Sequence, residues 1–159
     1  MTTLLAAFST TACGRRAPDV PLPDTERPLA LLDRPTLAGP PVDLATLAGK
    51  VVVVNVWSPS CAPCMHEAPG LQRLADELAP RGLALVTVMM EGTRAEAEAF
   101  VKRAGLTAPV VLGDAELAGH LRLLAYPWTV VIGRDGKPAT VVRGSREPGE
   151  FRAIFDRAL

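Results

Sequence analysis

GKVVVVNVWSPSCAPC, residues Gly49 to Cys64, joins a run of β-branched residues to two cysteines three positions apart. The run from Gly49 to Trp57 is too short for most helices and apolar almost throughout, the pattern of a central strand covered on both faces. After the second cysteine, MHEAPGLQRLADELAPRG sets Leu71, Leu74 and Leu78 at helical spacing, with Gly82 as a stop signal. Cys61 therefore falls where a strand hands over to a helix. Its sulfur would lie beside unpaired helix N-terminal amides and the positive end of the macrodipole, which stabilises a thiolate and lowers the thiol pKa. Cys64, one turn on, would share that helix face within disulfide reach but in more buried surroundings. This makes Cys61 the attacking thiol and Cys64 the resolving one. Pro63 suits the first helical turn, where its missing N–H would have had no partner.

Further along the chain, LALVTVMM reads as a second buried strand. TRAEAEAFVKRAG reads as a helix with Thr93 as N-cap, Glu96 at the capping-box position and Gly105 at its end. APVVL is short and extended, and DAELAGHLRLL can form another helix. PWTVVIGRDGKPATVVRG sets an Asp-Gly turn between two strands, a strong hairpin signal, and REPGEFRAIFDRAL closes the chain as an amphipathic helix. Upstream, LALLD and PVDL flank PTLAGP from Leu29 onward, which predicts a small edge hairpin limited by its prolines. Alternating strands and helices followed by a terminal hairpin and helix predict an α/β domain over residues 29–159. Its central mixed β-sheet is flanked by helices and carries an N-terminal β-hairpin extension.

The chain of 159 residues is sized for one domain, and 48% hydrophobic residues suffice for a core. Lys+Arg and Asp+Glu both number 17, and aromatic residues make up only 4%, which argues against nucleic acid as a partner. No stretch approaches the roughly 18 to 20 uninterrupted apolar residues of a membrane-spanning helix. The amino end is different: MTTLLAAFSTTAC is apolar and rich in small residues up to Cys13, where GRR restores polarity. Residues 1–12 read as a leader of lipoprotein type, with Cys13 as the site of lipid attachment. Residues 13–28 form the first part of a proline-rich stretch and read as an extended tether. Lipidation of Cys13 also accounts for the odd cysteine left when two of three pair. The expected location is the periplasmic side of a bacterial membrane.

Three other chemistries compete for the cysteine pair. A c-type haem site needs His directly after the second cysteine, but Met65 intervenes before His66. A structural zinc site needs two more ligands, and only Cys13, His66 and His120 are on offer, none in a second paired motif. A purely structural disulfide across one helical turn closes too small a loop to stabilise much.

GKVVVVNVWSPSCAPCMHEAPGL resembles the active-site segment of thioredoxin-like proteins of the TlpA/ResA/CcmG group, where an aromatic residue ends the strand and CxPC, xxE and xP follow. The lipoprotein-like start and the IGRDGK hairpin are similar too, and the resemblance extends over roughly Leu29 to Leu159. It implies a redox pair at Cys61 and Cys64 and no cofactor beyond that disulfide. Pro127 in AYPWTVVI matches the family's cis-proline, which leaves backbone groups free to pair with a partner's chain. Tyr126 precedes it, where a small or β-branched residue is usual. Glu67 matches an acidic residue that could accept or return the proton of the resolving thiol. Trp57 is expected near the site, and Ser60 replaces a tryptophan that commonly precedes the first cysteine. Together Trp57, Ser60, Tyr126 and Pro127 are the candidate substrate-binding residues. His66 reads as exposed, and Met89 and Met90 as core.

The resemblance implies a monomeric, membrane-tethered thiol:disulfide oxidoreductase that reduces protein disulfides, in cytochrome c maturation or in assembly of the cytochrome oxidase copper site. Its partners would be a protein disulfide and a membrane electron donor of thiol-reductase type. The alternative is a metallochaperone that binds Cu(I) through Cys61 and Cys64, since soft sulfur ligands suit that ion. A peroxidase is disfavoured because the approach to Cys61 lacks the Pro-x-x-x-Thr/Ser pattern of peroxiredoxins.

Overall fold

The computed structural model describes residues 28–159. The leader, most of the tether and Cys13 lie outside the described residues. Five strands form one sheet in the order β3-β2-β1-β4-β5. They are β1 (Val51–Trp57), β2 (Leu83–Met89), β3 (Val110–Leu112), β4 (Trp128–Ile132) and β5 (Pro138–Arg143). The first three run parallel to one another, and β4 and β5 add antiparallel on the far side of β1. Four helices accompany them: α1 (Ala62–Leu78), α2 (Arg94–Ala104), α3 (Ala115–His120) and α4 (Pro148–Ala158).

Strand β1 is buried along its whole length, as its unbroken apolar run requires. Its side chains alternate between faces. Val52, Val54 and Val56 pack with Leu117 of α3 and its C-cap Leu121, with Trp128, Val130 and Ile132 of β4, and with Leu32 and Leu47 of the N-terminal segment. Val51 and Val53 meet Leu71, Leu74 and Leu78 of α1 and Phe151 and Phe155 of α4 on the other face. A third cluster joins Trp57, Cys64 and Ala68 to Ala97, Phe100 and Ala104 of α2. Helix α2 has the caps read from its sequence. The Thr93 side chain accepts from the Glu96 N–H, the Glu96 carboxylate accepts from the Thr93 N–H, and Gly105 ends the helix at φ +64°. Helix α3 is shorter than its pattern allows and stops at His120.

The expected N-terminal hairpin does not form. The segment instead holds two 3-10 turns, Pro28–Leu32 and Leu44–Leu47, and a single antiparallel bridge between Thr36 and Val111 of β3. Pro35, Pro40 and Pro41 lack the N–H groups that a ladder needs. What remains is the Leu37 N–H donating to the Val110 carbonyl and the Leu112 N–H donating to the Pro35 carbonyl. That bridge still covers part of the β3 edge. Pro28 is buried in the first 3-10 turn. Arg34 anchors the segment to α3 through Asp114 and Glu116.

Candidate active site

Strand β1 delivers the chain to Trp57, and the Ser58–Ser60 loop turns it into α1. Cys61 is the N-cap residue of that helix: its backbone is extended, and its sulfur accepts a hydrogen bond from the Cys64 N–H at 3.2 Å. Pro63 occupies the first turn, where it costs no hydrogen bond. Cys61 and Cys64 are joined in a disulfide with their Cα atoms 5.3 Å apart. Cys61 is partly exposed, whereas Cys64 is only 1% exposed and belongs to the cluster around Trp57 and Phe100. Cys61 is thus the more exposed of the two cysteines.

Pro127, at the head of β4, follows a cis peptide bond from Tyr126. Tyr126 is half-buried against the same cluster that includes Cys61 and Met65. Its hydroxyl is pushed up to about 12, first by burial and then by the nearby Glu91 carboxylate. Glu91 lies in the loop after β2, beside Gly92, whose Cα approaches the Pro59 ring so closely that a Cβ there would stand 2.9 Å from Pro59 Cγ. The Met90 N–H donates to the Trp57 carbonyl at 3.1 Å. The loop after β2 is thus fastened to the loop that carries Cys61.

Glu67 lies on α1 one turn past Cys64 and is buried. Its Oε1 accepts from Asn55 Nδ2 at 2.9 Å, and its Oε2 accepts from the Arg146 backbone N–H at 3.1 Å. Burial raises its pKa above the ordinary carboxylate value. The bonds from Asn55 and Arg146, the Ser145 hydroxyl and the Arg146 charge pull it back. A carboxyl so balanced can take up and return a proton.

Ser60 is exposed, with its hydroxyl 3.2 Å from that of Ser58, so it is available to a partner. Trp57 is not. It is buried and stacked on Phe100 with ring centroids 4.1 Å apart. The expectation that Trp57 contacts a substrate is therefore corrected: β1 directs its ring inward, and it forms the floor behind Cys64. His66 is exposed and pairs with Glu147 at 3.6 Å. Met89 is a core residue, and Met90 packs on Gly113. Sequence reasoning missed Asn55, Thr129 and the Ser145–Arg146 loop. A polar Asn inside VVVVNVW was the available signal, because a buried amide needs partners. Nothing in RGSREPG marked Arg146, whose contribution to Glu67 begins with its backbone N–H.

Comparison with known proteins places this arrangement. The model of the AhpC/TSA family matches residues 13–139. The chain belongs to the AhpC/TSA family. Among relatives, the thiol-disulfide oxidoreductase ResA of Oceanobacillus iheyensis is 31% identical over 65% of this chain and 55% of its own length. The thioredoxin-like protein YneN of Bacillus subtilis is 29% identical over 76% and 72%. The chain thus spans little more than half of the first of these curated relatives. A crystal structure of a thioredoxin-family thiol:disulfide interchange protein from Chlorobium tepidum superposes with a TM-score of 0.74 at 25% identity. That match covers 90% of this chain and 98% of that one. This AhpC/TSA chain has a thioredoxin-like fold, with the CxxC cysteine pair expected of a thiol-disulfide oxidoreductase.

Proposed function

We propose that this protein is a ResA-type thiol:disulfide oxidoreductase that reduces protein disulfides. The observation that carries this reading is the pair Cys61–Cys64 at the start of α1, with one sulfur accessible and the other buried beside an acidic residue. In the reduced protein, the Cys61 thiolate attacks one sulfur of a partner disulfide. A mixed disulfide forms, and the partner's other sulfur leaves as a thiolate that takes up a proton. Glu67 then accepts the Cys64 proton. The Cys64 thiolate attacks Cys61 Sγ, the intermolecular bond breaks, and the partner leaves with its second thiol. Two electrons pass to the partner, and Cys61–Cys64 returns to the disulfide. The exposed Ser60 and the backbone beside Tyr126 and Pro127 receive the partner chain.

The export-type leader and Cys13 support placement on the periplasmic side of a bacterial membrane, held by lipid. No described helix is long and apolar enough to cross a membrane. The resemblance of the active-site segment to the TlpA/ResA/CcmG group supports cytochrome c maturation or cytochrome oxidase copper-site assembly as the context, and several of the relatives carry the name ResA. An oxidising compartment requires a membrane thiol reductase as electron donor.

The deciding experiment is the midpoint potential of the Cys61/Cys64 pair in a Cys13-less protein, with Cu(I) titration alongside. Thioredoxin-like sites run from about −270 mV for reductants to about −120 mV for strong oxidants. A value toward the reducing end is expected. One at the oxidising end overturns the reductase assignment, and tight stoichiometric copper uptake with slow disulfide exchange overturns the enzyme assignment.

A further inference from the structure

Two hydrogen-bonded paths leave Glu67 and converge on the same strand. From Oε1 the path runs to Asn55 Nδ2 at 2.9 Å, and the same nitrogen donates its other hydrogen to Thr129 Oγ1 at 2.9 Å. Thr129 lies on β4 two residues after Pro127. From Oε2 the path runs to the Arg146 N–H at 3.1 Å. Two residues earlier, the Gly144 N–H donates to the Pro127 carbonyl at 2.9 Å. The two paths close a ring through Glu67, Asn55, Thr129, Pro127, Gly144 and Arg146.

Asn55, Glu67 and Thr129 are 3%, 4% and 1% exposed, so bulk water does not replace a partner lost from this ring. The amide orientation follows from chemistry, because a turned-over Asn55 would set its oxygen against the carboxylate. Strands β1 and β4 bring only neutral groups to Glu67. The charged neighbour is the Arg146 guanidinium on the β5–α4 loop, with the Ser145 hydroxyl beside it. On the helix itself His66 turns outward to Glu147, Cys64 is ionisable only once the disulfide is reduced, and Arg73, Asp76 and Glu77 lie more than a turn further on.

We propose that Asn55 is a positioning residue: it holds the Glu67 carboxylate and, through this ring, ties the charge of Glu67 to the backbone at Pro127. This rests on the reading of Glu67 as proton acceptor for Cys64. The two ring members that bond the carboxylate, Asn55 Nδ2 and the Arg146 N–H, can only donate, whereas the Ser145 hydroxyl outside the ring can also accept. A proton arriving on either oxygen makes that oxygen a donor facing a donor, and the bond weakens. The ring therefore loosens as Cys64 gives up its proton, which links resolution of the mixed disulfide to release of the partner.

The test is carbon-13 NMR of the Glu67 carboxyl across a pH titration of the full oxidised chain, assigned with Glu67→Gln. Asn55→Ala is expected to raise the Glu67 midpoint by about one pH unit, the loss of one hydrogen bond to a charged group. In the wild type, the Thr129 and Gly144 amide resonances should titrate with the Glu67 midpoint. In Asn55→Ala, Thr129 should stop doing so while Gly144 continues. An unmoved Glu67 midpoint, or Thr129 and Gly144 amides that stay flat through it in the wild type, overturns the proposal. If Asn55→Ala does not fold, Thr129→Val keeps the shape and should move the Glu67 midpoint upward by a smaller amount; no movement there also overturns it. Protein-disulfide reduction by the wild type is assayed separately. Loss of the function reading with these shifts intact leaves the positioning role standing, and exchange without the shifts removes only the positioning role.

Discussion

Cys61 and Cys64 share one helical turn and one apolar cluster but differ in exposure. Cys61 is partly exposed and its sulfur accepts from the Cys64 N–H, while Cys64 is buried with Trp57 and Phe100. After reduction, iodoacetamide should therefore alkylate Cys61 at least about tenfold faster than Cys64 at neutral pH, read by peptide mass spectrometry. Replacing Cys64 by Ser should trap partners as mixed disulfides on Cys61, visible on non-reducing gels; a variant that traps nothing would remove Cys61 from the attacking role. Glu67 carries a second consequence. Burial, the strongest influence on it, raises its pKa above 4.5 in the folded protein. The native state then keeps a proton that the unfolded chain has released, so stability falls as pH climbs from about 4.5 through the native value. Glu67→Gln should flatten that decline, measured as urea unfolding free energy at intervals from pH 4 to 8.

Among the elements, α1 does the most to build the site, and its far half depends on a close approach to α4. A Cβ on Gly70 would stand 2.7 Å from Pro148 Cγ, in a ring rather than a flexible side chain. Gly70→Ala should cost about 1–3 kcal/mol by overpacking, despite the better helix propensity of alanine, with denaturant titration as the check. Elements governed by local chemistry were legible in the sequence: β1 by its valines, α2 by Thr93, Glu96 and Gly105, and the β4–β5 hairpin by Asp135-Gly136. The N-terminal segment was not. Its flanking apolar residues do reach the core, as Leu32 and Leu47 do, but its prolines reduce the pairing to one bridge. At the site, the sequence reading took Cys61 and Cys64 from their place at a strand-to-helix junction, and Glu67 and Pro127 from the family resemblance. It offered Trp57 to the substrate, but β1 is buried on both faces and the ring packs on Phe100 behind Cys64. It passed over Arg146, whose backbone N–H carries no sequence signature.

Across the described residues, one sheet and three apolar clusters are built from a single span, 28–159. A protein truncated to that span should unfold in a single cooperative transition, with calorimetric and van't Hoff enthalpies in agreement. The redox pair sits at the start of α1, beyond the end of β1, with Cys61 partly exposed and Cys64 in the core, so the reacting sulfurs lie outside the sheet itself. The approach of Gly92 to Pro59 extends from this geometry to descent. Position 92 combines a φ of +101° with a ring 2.9 Å from where a side chain would begin. Losing the proline at 59 would remove the clash but not the left-handed backbone at 92. Glycine at 92 should therefore outlast changes at 59, and that one-way order should be readable in any family tree.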